Sequence, residues 1–168
     1  SNLRYDYVGV DPNTETVDNL RYLDELIQAT GGPASEIHQS VSEEFVPEDI
    51  DCAFSSPPYF NLETYTDEPT QCMNSCSNLD EWFTTYVTPT IEMLHTALAK
   101  DAIYAVNIAD YKDGKEEFNI VEPWKQISEQ VGFTYQKQID MVLNVRPGVG
   151  NDKASNSYKS EGIYLFKK

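Results

Sequence analysis

Short apolar runs alternate along this chain with stretches of helical periodicity, and this alternation restricts the possible folds more than any other feature. Residues 5–10 and 102–108 read as strands, and the short apolar run at residues 51–55 is typical of a buried parallel strand. Apolar residues at helical spacing between the strands predict crossover helices. The alternation therefore predicts one α/β domain over residues 1–168, with a mostly parallel sheet.

The helices have recognisable start and stop signals. Gly-Gly-Pro at residues 31–33 ends the first helix, and Asn-Leu-Asp-Glu at residues 78–81 resembles a capping box that starts the second. Pro89 is expected to kink that second helix. A third helix is expected over residues 121–131, because a proline stands in its first turn.

The remaining segments are loops and weaker strands. Residues 37–39 form a weak strand pattern, and residues 56–77 read as a long ordered loop of the kind that is usually functional. Two strands are expected over residues 135–144 and 162–166, with a polar segment between them. A terminal pair of strands without a helix between them predicts an antiparallel edge.

Composition and charge exclude several classes of protein. Forty per cent of the 168 residues are hydrophobic, so the chain is not disordered. It shows no apolar run long enough for a membrane span and no signal peptide, which predicts a cytoplasmic protein without a membrane partner. Three cysteines and two histidines without paired spacing predict no metal site. The net charge of −16 argues against this chain binding nucleic acid unaided.

The sharpest motif is Ser56-Pro57-Pro58-Tyr59, which follows the strand at residues 51–55. Ligands in open α/β sheets bind beyond the carboxyl ends of strands. Two prolines stiffen the turn and remove two N–H donors, so the remaining groups are acceptors beside an aromatic ring. Such a turn suits the amino group of a flat base, which becomes a better nucleophile when its hydrogens are held by fixed acceptors. The alternative is a turn that merely ends the strand.

A second motif, Gly-Val-Asp-Pro-Asn, closes the first strand with Asp11 and Asn13. An acidic residue at such a strand end commonly binds the ribose hydroxyls of adenosine, although a helix-capping or turn residue fits the pattern as well. Residues 39–43 follow the next strand, and Ser40 and Ser42 are placed there to contact an adenine ring. A plain polar turn explains that segment equally.

Together these motifs resemble the amino-methyltransferases of DNA, which methylate adenine N6 or cytosine N4 with S-adenosylmethionine. The resemblance implies a Rossmann-like class I methyltransferase fold with an antiparallel last strand, in a bacterial or phage protein of restriction-modification type. It covers nearly the whole chain. Besides the two motifs, it is carried by residues 59–65, 67–71, Trp82, 106–110 and 161–168.

The resemblance also assigns roles to single residues. The catalytic set is Ser56, Pro57, Pro58 and Tyr59. The set that binds the cofactor S-adenosylmethionine is Asp11, Asn13, Ser40 and Ser42. The set that contacts the substrate base is Phe60, Tyr65 and Asn107, the last of which fits a structural hydrogen bond equally well.

The chain departs from this family at its beginning. The family's glycine-rich cofactor loop should precede Tyr7, but no glycine stands there. We therefore expect a domain that is truncated at the N-terminus and lacks its first strand, or else a degenerate one, and we expect DNA binding to need regions outside this chain. The alternatives are a methyltransferase of RNA or of protein glutamine, and a non-catalytic interaction module that has lost its cofactor.

Overall fold

The computed structural model describes residues 6–60, 76–142 and 160–168. Its chain divides into two compact units. The first unit comprises Ser1–Asp49 and Phe60–Ala97, and the second comprises Ile50–Tyr59 and Leu98–Lys168. The single domain expected over residues 1–168 stays a prediction.

The first unit begins with a strand, a helix and a parallel strand. Strand β1 (Tyr7–Asp11) pairs in parallel with β2 (Ser35–Gln39), and helix α1 (Thr14–Ala29) connects them. The predicted strand, helix and weak strand are therefore confirmed. A short 3₁₀ turn over Ser42–Glu44 follows. This crossover places the carboxyl ends of both strands at one edge of their sheet.

Residues 79–97 of the first unit are helical. Helix α2 (Leu79–Trp82) continues through a π-helical segment (Phe83–Val87) into α3 (Thr88–Ala97). The predicted helix start is confirmed: the Asn78 side chain accepts a hydrogen bond from the Glu81 N–H at 2.9 Å, while the Glu81 carboxylate accepts one from the N–H of Ser77, the residue before the cap, at 2.7 Å.

Pro89 lies at the second position of α3, directly after the π-helical segment. A proline within a helix removes one N–H donor and crowds the preceding turn. The chain widens into π-helical turns just before Pro89, and the Thr88 hydroxyl donates to the Phe83 carbonyl at 2.8 Å. The disturbance expected at Pro89 thus takes the form of a π-helical segment in the preceding turn.

The second unit contains a four-stranded mixed sheet. Its strands are β3 (Ile50–Ser55), β4 (Leu98–Ile108), β7 (Thr134–Val142) and β8 (Ser160–Lys167), in the order β3-β4-β8-β7. Strand β3 is parallel to β4, and β8 is antiparallel to both of its neighbours. Since β7 and β4 both run against β8, they run in the same direction. The predicted antiparallel last strand is confirmed.

The burial predicted for β3 is wrong in the described part of the chain. Strand β3 forms the edge of its sheet and pairs with β4 alone. Phe54 is 66% exposed, and Cys52 is exposed as well. A short apolar run fits an edge strand as readily as a central one, and only the neighbouring strands decide which of the two it becomes.

Two further elements connect β4 to β7. Strands β5 (Tyr111–Asp113) and β6 (Glu116–Phe118) form an antiparallel hairpin, and helix α4 (Val121–Val131) follows as predicted. The sequence analysis missed the hairpin. Its signal is Gly114 at the first position of the two-residue turn Gly114-Lys115, because Gly114 has a φ of 60°, which glycine adopts readily at a tight turn.

Candidate functional site

The Ser-Pro-Pro-Tyr motif lies where the sequence predicts it, directly after the carboxyl end of β3. Pro57 is buried and Pro58 is half-buried, while Ser56 is exposed. Among the described residues, none forms a hydrogen bond with the Ser56 hydroxyl. The buried Pro57 therefore anchors the turn, and the exposed Ser56 carries a hydroxyl oxygen that can accept a hydrogen bond.

The ring of Tyr59 packs against an aromatic residue of the hairpin. The Tyr59 and Tyr111 rings meet edge to face, with centroids 5.5 Å apart and an interplanar angle of 74°. Tyr111 in turn stacks on Phe118 at 4.8 Å and 9°. Phe118 is only 5% exposed, so it is the buried end of this aromatic row. The row belongs entirely to the second unit.

The predicted substrate residues have different surroundings. Phe60 follows the turn and is half-buried, whereas Tyr65 lies outside the described residues. Asn107 is buried, and its side-chain N–H donates to the Gly162 carbonyl at 3.2 Å. This bond ties β4 to β8, which is the structural alternative that the sequence left open. A contact of Asn107 with substrate stays a prediction.

Asp11 ends β1 in the first unit, as predicted. Its Oδ1 accepts a hydrogen bond from the Asn13 N–H at 2.8 Å. Its backbone carbonyl accepts one from the Ser40 N–H at 3.3 Å, which joins the chain segments that follow β1 and β2. A carboxylate has several further lone pairs, so Asp11 retains the capacity to accept hydrogen bonds from a pair of hydroxyl groups.

The other predicted cofactor residues make local hydrogen bonds. The Asn13 side chain caps α1 by accepting from the Thr16 N–H at 2.8 Å. The Ser40 hydroxyl donates to the Val41 carbonyl at 3.1 Å. The Ser42 hydroxyl lies 3.1 Å from the hydroxyl of Thr90, a buried residue of α3, and so joins the 3₁₀ turn to that helix. Cofactor contacts of these three side chains stay predictions.

A carboxylate holds the chain between the aromatic hairpin and α4. The Asp110 Oδ1 accepts from the Ile120 N–H at 2.7 Å and from the Val121 N–H at 2.9 Å. It therefore caps α4 and closes the segment that contains Tyr111 and Phe118. Sequence reasoning missed Asp110, Tyr111 and Phe118, because Asp110 stands ten residues before the cap position of α4 and no local capping pattern reveals such a contact.

The described residues were also compared with the requirements of an ionisable group of shifted pKa, a metal site and a membrane span. Burial, with a smaller contribution from the Asp110 carboxylate, raises the pKa of the Tyr164 hydroxyl, so this group stays protonated. In the part of the chain that the structure describes, no three His, Cys, Asp or Glu residues are grouped so that they could hold a metal ion. No helix within residues 6–60, 76–142 and 160–168 is both long and apolar enough to cross a membrane.

Comparison with known proteins gives a result at the level of the fold. No protein-family model matches the sequence, and no curated protein matches it. Solved structures do match. One is a methyltransferase from Pyrococcus furiosus, with a TM-score of 0.56 and 13% identity over 97% of this chain and 62% of that one. Another is a SAM-dependent methyltransferase from Methanosarcina mazei, with a TM-score of 0.59 and 11% identity over 98% and 82%.

A third similar structure is a candidate DNA modification methylase from Thermus thermophilus in complex with S-adenosyl-L-methionine. Its TM-score is 0.53 at 12% identity, over 98% of this chain and 56% of that one. The chain thus spans little more than half of the Thermus protein. Because these likenesses extend over nearly the whole chain, the chain has the Rossmann-like α/β fold of class I methyltransferases.

Proposed function

We propose that this protein transfers a methyl group from S-adenosylmethionine to the exocyclic amine of adenine (N6) or cytosine (N4) in DNA. The observation that carries the proposal is the Ser56–Tyr59 turn, in which an exposed serine and a tyrosine with a fixed ring contact follow the carboxyl end of β3. The shared fold supports methyl transfer, since a structure with this fold holds S-adenosyl-L-methionine.

Asp11 fits the ribose of the cofactor. It ends a parallel strand, which is where acidic residues bind ribose hydroxyls in such folds. Asn13 donates to Asp11 through its backbone N–H and so fixes the orientation of the carboxylate. When bound, S-adenosylmethionine supplies a methyl group on a positively charged sulfur. Asp11 would accept hydrogen bonds from the two ribose hydroxyls, and Ser40 and Ser42 would contact the adenine ring.

The Ser56–Tyr59 turn prepares the acceptor amine. The Ser56 hydroxyl oxygen and the turn carbonyls would accept the hydrogens of the exocyclic amine, which makes its nitrogen a better nucleophile. S-adenosylmethionine would supply the methyl group to this nitrogen, the demethylated cofactor would leave, and the proton lost from the amine would pass to water. Because Pro57 and Pro58 hold the acceptors in place before the reaction, little reorganisation is needed.

The target base stacks on Tyr59 after it leaves the duplex. A base inside the double helix cannot bring its amine to a turn of this kind, so the nucleotide must be flipped out. Phe60 and Tyr65, which follow Tyr59 in the chain, are the further aromatic residues that we assign to the base. With a net charge of −16, this chain is expected to rely on other regions or subunits for contacts with phosphates.

A second candidate keeps the chemistry and changes the acceptor. Related proline-containing turns occur in methyltransferases of protein glutamine and of RNA guanine. The acidic composition favours a glutamine-containing protein, because such an acceptor does not require a positive surface. The same turn would then hold the side-chain amide of a glutamine.

The test is a methylation assay on the full-length protein with labelled S-adenosylmethionine. The substrates are unmethylated duplex DNA, total RNA and a mixture of unmodified proteins. We expect label in DNA, recovered as N6-methyladenine or N4-methylcytosine. Ser56→Ala should lower kcat about 100-fold, as loss of one preorganised transition-state hydrogen bond does.

The matched control is Ser55→Ala, the preceding residue, which ends β3 and should stay within about twofold of wild type, a change of about 0.4 kcal/mol. If only the protein mixture becomes labelled, the acceptor is protein glutamine and DNA methylation is contradicted. Absence of label in all three substrates would contradict methyl transfer and favour a non-catalytic module. Equal losses for Ser55→Ala and Ser56→Ala would contradict the role of Ser56.

A further inference from the structure

The aromatic row of Tyr59, Tyr111 and Phe118 joins the Ser56–Tyr59 turn to the hairpin. Tyr59 presents its ring to Tyr111 at 5.5 Å and 74°, which is the edge-to-face geometry that aromatic pairs prefer. The backbone of the turn is fixed by two prolines, but prolines do not restrain the side-chain torsions of the residue that follows them. The contact with Tyr111 does restrain them.

Tyr111 is itself held firmly. It is the register partner of Phe118 across the hairpin, and the two rings are stacked at 4.8 Å. The next pair along, Lys112 and Glu117, forms an ion pair across the same strands. Because Phe118 is buried, the position of the Tyr111 ring is tied to the core of the second unit.

The chain at both ends of the hairpin is fixed as well. Asp110 precedes Tyr111, and its carboxylate accepts from the backbone N–H groups of Ile120 and Val121, two and three residues after Phe118. One side chain therefore closes the segment from β4 to α4. A hairpin closed in this way can serve as a rigid support for a neighbouring side chain.

We propose that Tyr111 is a positioning residue, whose edge-to-face contact holds the Tyr59 ring in the orientation that stacks on the acceptor base. This role rests on the proposed function, because it gives Tyr59 a base to stack on. Tyr111 acts through Tyr59, and its ring is what matters. Its hydroxyl group is not required for this contact.

The first experiment is kinetic and uses the full-length protein with duplex DNA. Tyr111→Leu should raise the KM for DNA about tenfold, while kcat changes less than threefold and the affinity for S-adenosylmethionine does not change. A misoriented Tyr59 weakens stacking equally in the ground state and the transition state, so the loss appears in KM. Tyr111→Phe keeps the ring and should restore the wild-type KM.

Non-additivity distinguishes positioning from a general structural role. If Tyr111 acts through Tyr59, then Tyr59→Ala and Tyr59→Ala/Tyr111→Leu should have the same KM within about twofold. Lys115→Ala, in the turn of the same hairpin, is the control and should match wild type. The proposal would be overturned if the KM increases of the two single variants multiplied in the double variant, or if Tyr111→Phe did not restore the wild-type KM.

The second experiment does not depend on enzymatic activity. A single 3-fluorotyrosine placed at position 59 reports the ring's surroundings by its ¹⁹F resonance. We expect one resonance in wild type and in Tyr111→Phe, and a shifted or exchange-broadened resonance in Tyr111→Leu. An unchanged resonance in Tyr111→Leu would overturn the positioning role. If the ¹⁹F resonances behave as expected but the wild-type protein does not methylate DNA, the proposed function is wrong and the contact between the two rings is still supported.

Discussion

The Tyr104 hydroxyl shows how one buried polar group is stabilised in the second unit. Tyr104 is 1% exposed, and its ring stacks on Phe166 with centroids 4.7 Å apart. The Ser128 hydroxyl donates to the Trp124 carbonyl at 2.8 Å, so the Tyr104 hydroxyl donates to the Ser128 oxygen. Burial raises the pKa of Tyr104 to about 12, because an ionised phenol would lose its hydration there.

This shift predicts a loss of stability at high pH. The folded-state pKa of Tyr104 lies above the ordinary value of 10.0, so the stabilisation is complete below pH 10 and is lost as pH rises towards 12. The free energy of unfolding should fall by about 1 kcal/mol more in wild type than in Tyr104→Phe between pH 9 and pH 11. Urea denaturation of both proteins across this range measures the difference. Parallel pH profiles would contradict the assignment.

The sequence predicted the positions of candidate site residues in the fold where a motif and a strand end coincide. Asp11 and Ser56 lie at the carboxyl ends of β1 and β3, since apolar runs reveal where strands stop. Contacts between distant residues were not predictable in this way. The Tyr59–Tyr111 contact joins side chains that are 52 positions apart, and no local pattern encodes it. The hydrogen bond between Ser42 and Thr90 escaped prediction for the same reason.

At the scale of elements, strong local signals located the helices and most strands. The cap at Asn78 and the glycines after α1 are short-range features that act on their own helix. The neighbours of a strand are a long-range property, so β3 was wrongly expected to be buried. The β5–β6 hairpin was missed because each of its strands has three residues, too few to show an alternating pattern.

In strand β8, the side chain of Tyr164 occupies the space that a side chain at Gly162 would need. A Cβ on Gly162 would lie 2.7 Å from two ring carbons and the hydroxyl oxygen of Tyr164, whose side chain is on the same face of the strand. Tyr164 is only 9% exposed, so its ring cannot move aside freely. Gly162→Ala should therefore lower the free energy of unfolding by about 1 to 3 kcal/mol, the usual cost of overpacking. Chemical denaturation measures this loss.

A double-mutant cycle separates this clash from other effects of the substitution. In a Tyr164→Leu background the ring atoms are absent, so Gly162→Ala should cost less than about 0.5 kcal/mol. The same cost in both backgrounds would show that the Tyr164 ring is not what excludes a side chain at position 162.

At the scale of the whole molecule, the sequence predicted the fold class, and three solved methyltransferase structures agree with it at 11 to 13% identity. This agreement is possible because the order of strands and helices depends on periodicity and turn signals, which survive when individual residues change. The identity of the methyl acceptor cannot be predicted in this way. It is determined by a few side chains around the Ser56–Tyr59 turn and by surfaces that bind DNA or protein, which hydrophobic periodicity does not reveal.

The most direct test of the account is binding of S-adenosylmethionine to the full-length protein, measured by calorimetry. We expect a Kd of about micromolar size for wild type. Asp11→Asn keeps an acceptor for the Asn13 N–H and removes the carboxylate, so it should weaken binding at least tenfold. Asp18→Asn, an equal change of charge at an exposed position of α1, should leave it unchanged. Failure of wild type to bind, or equal affinities for all three proteins, would contradict the account.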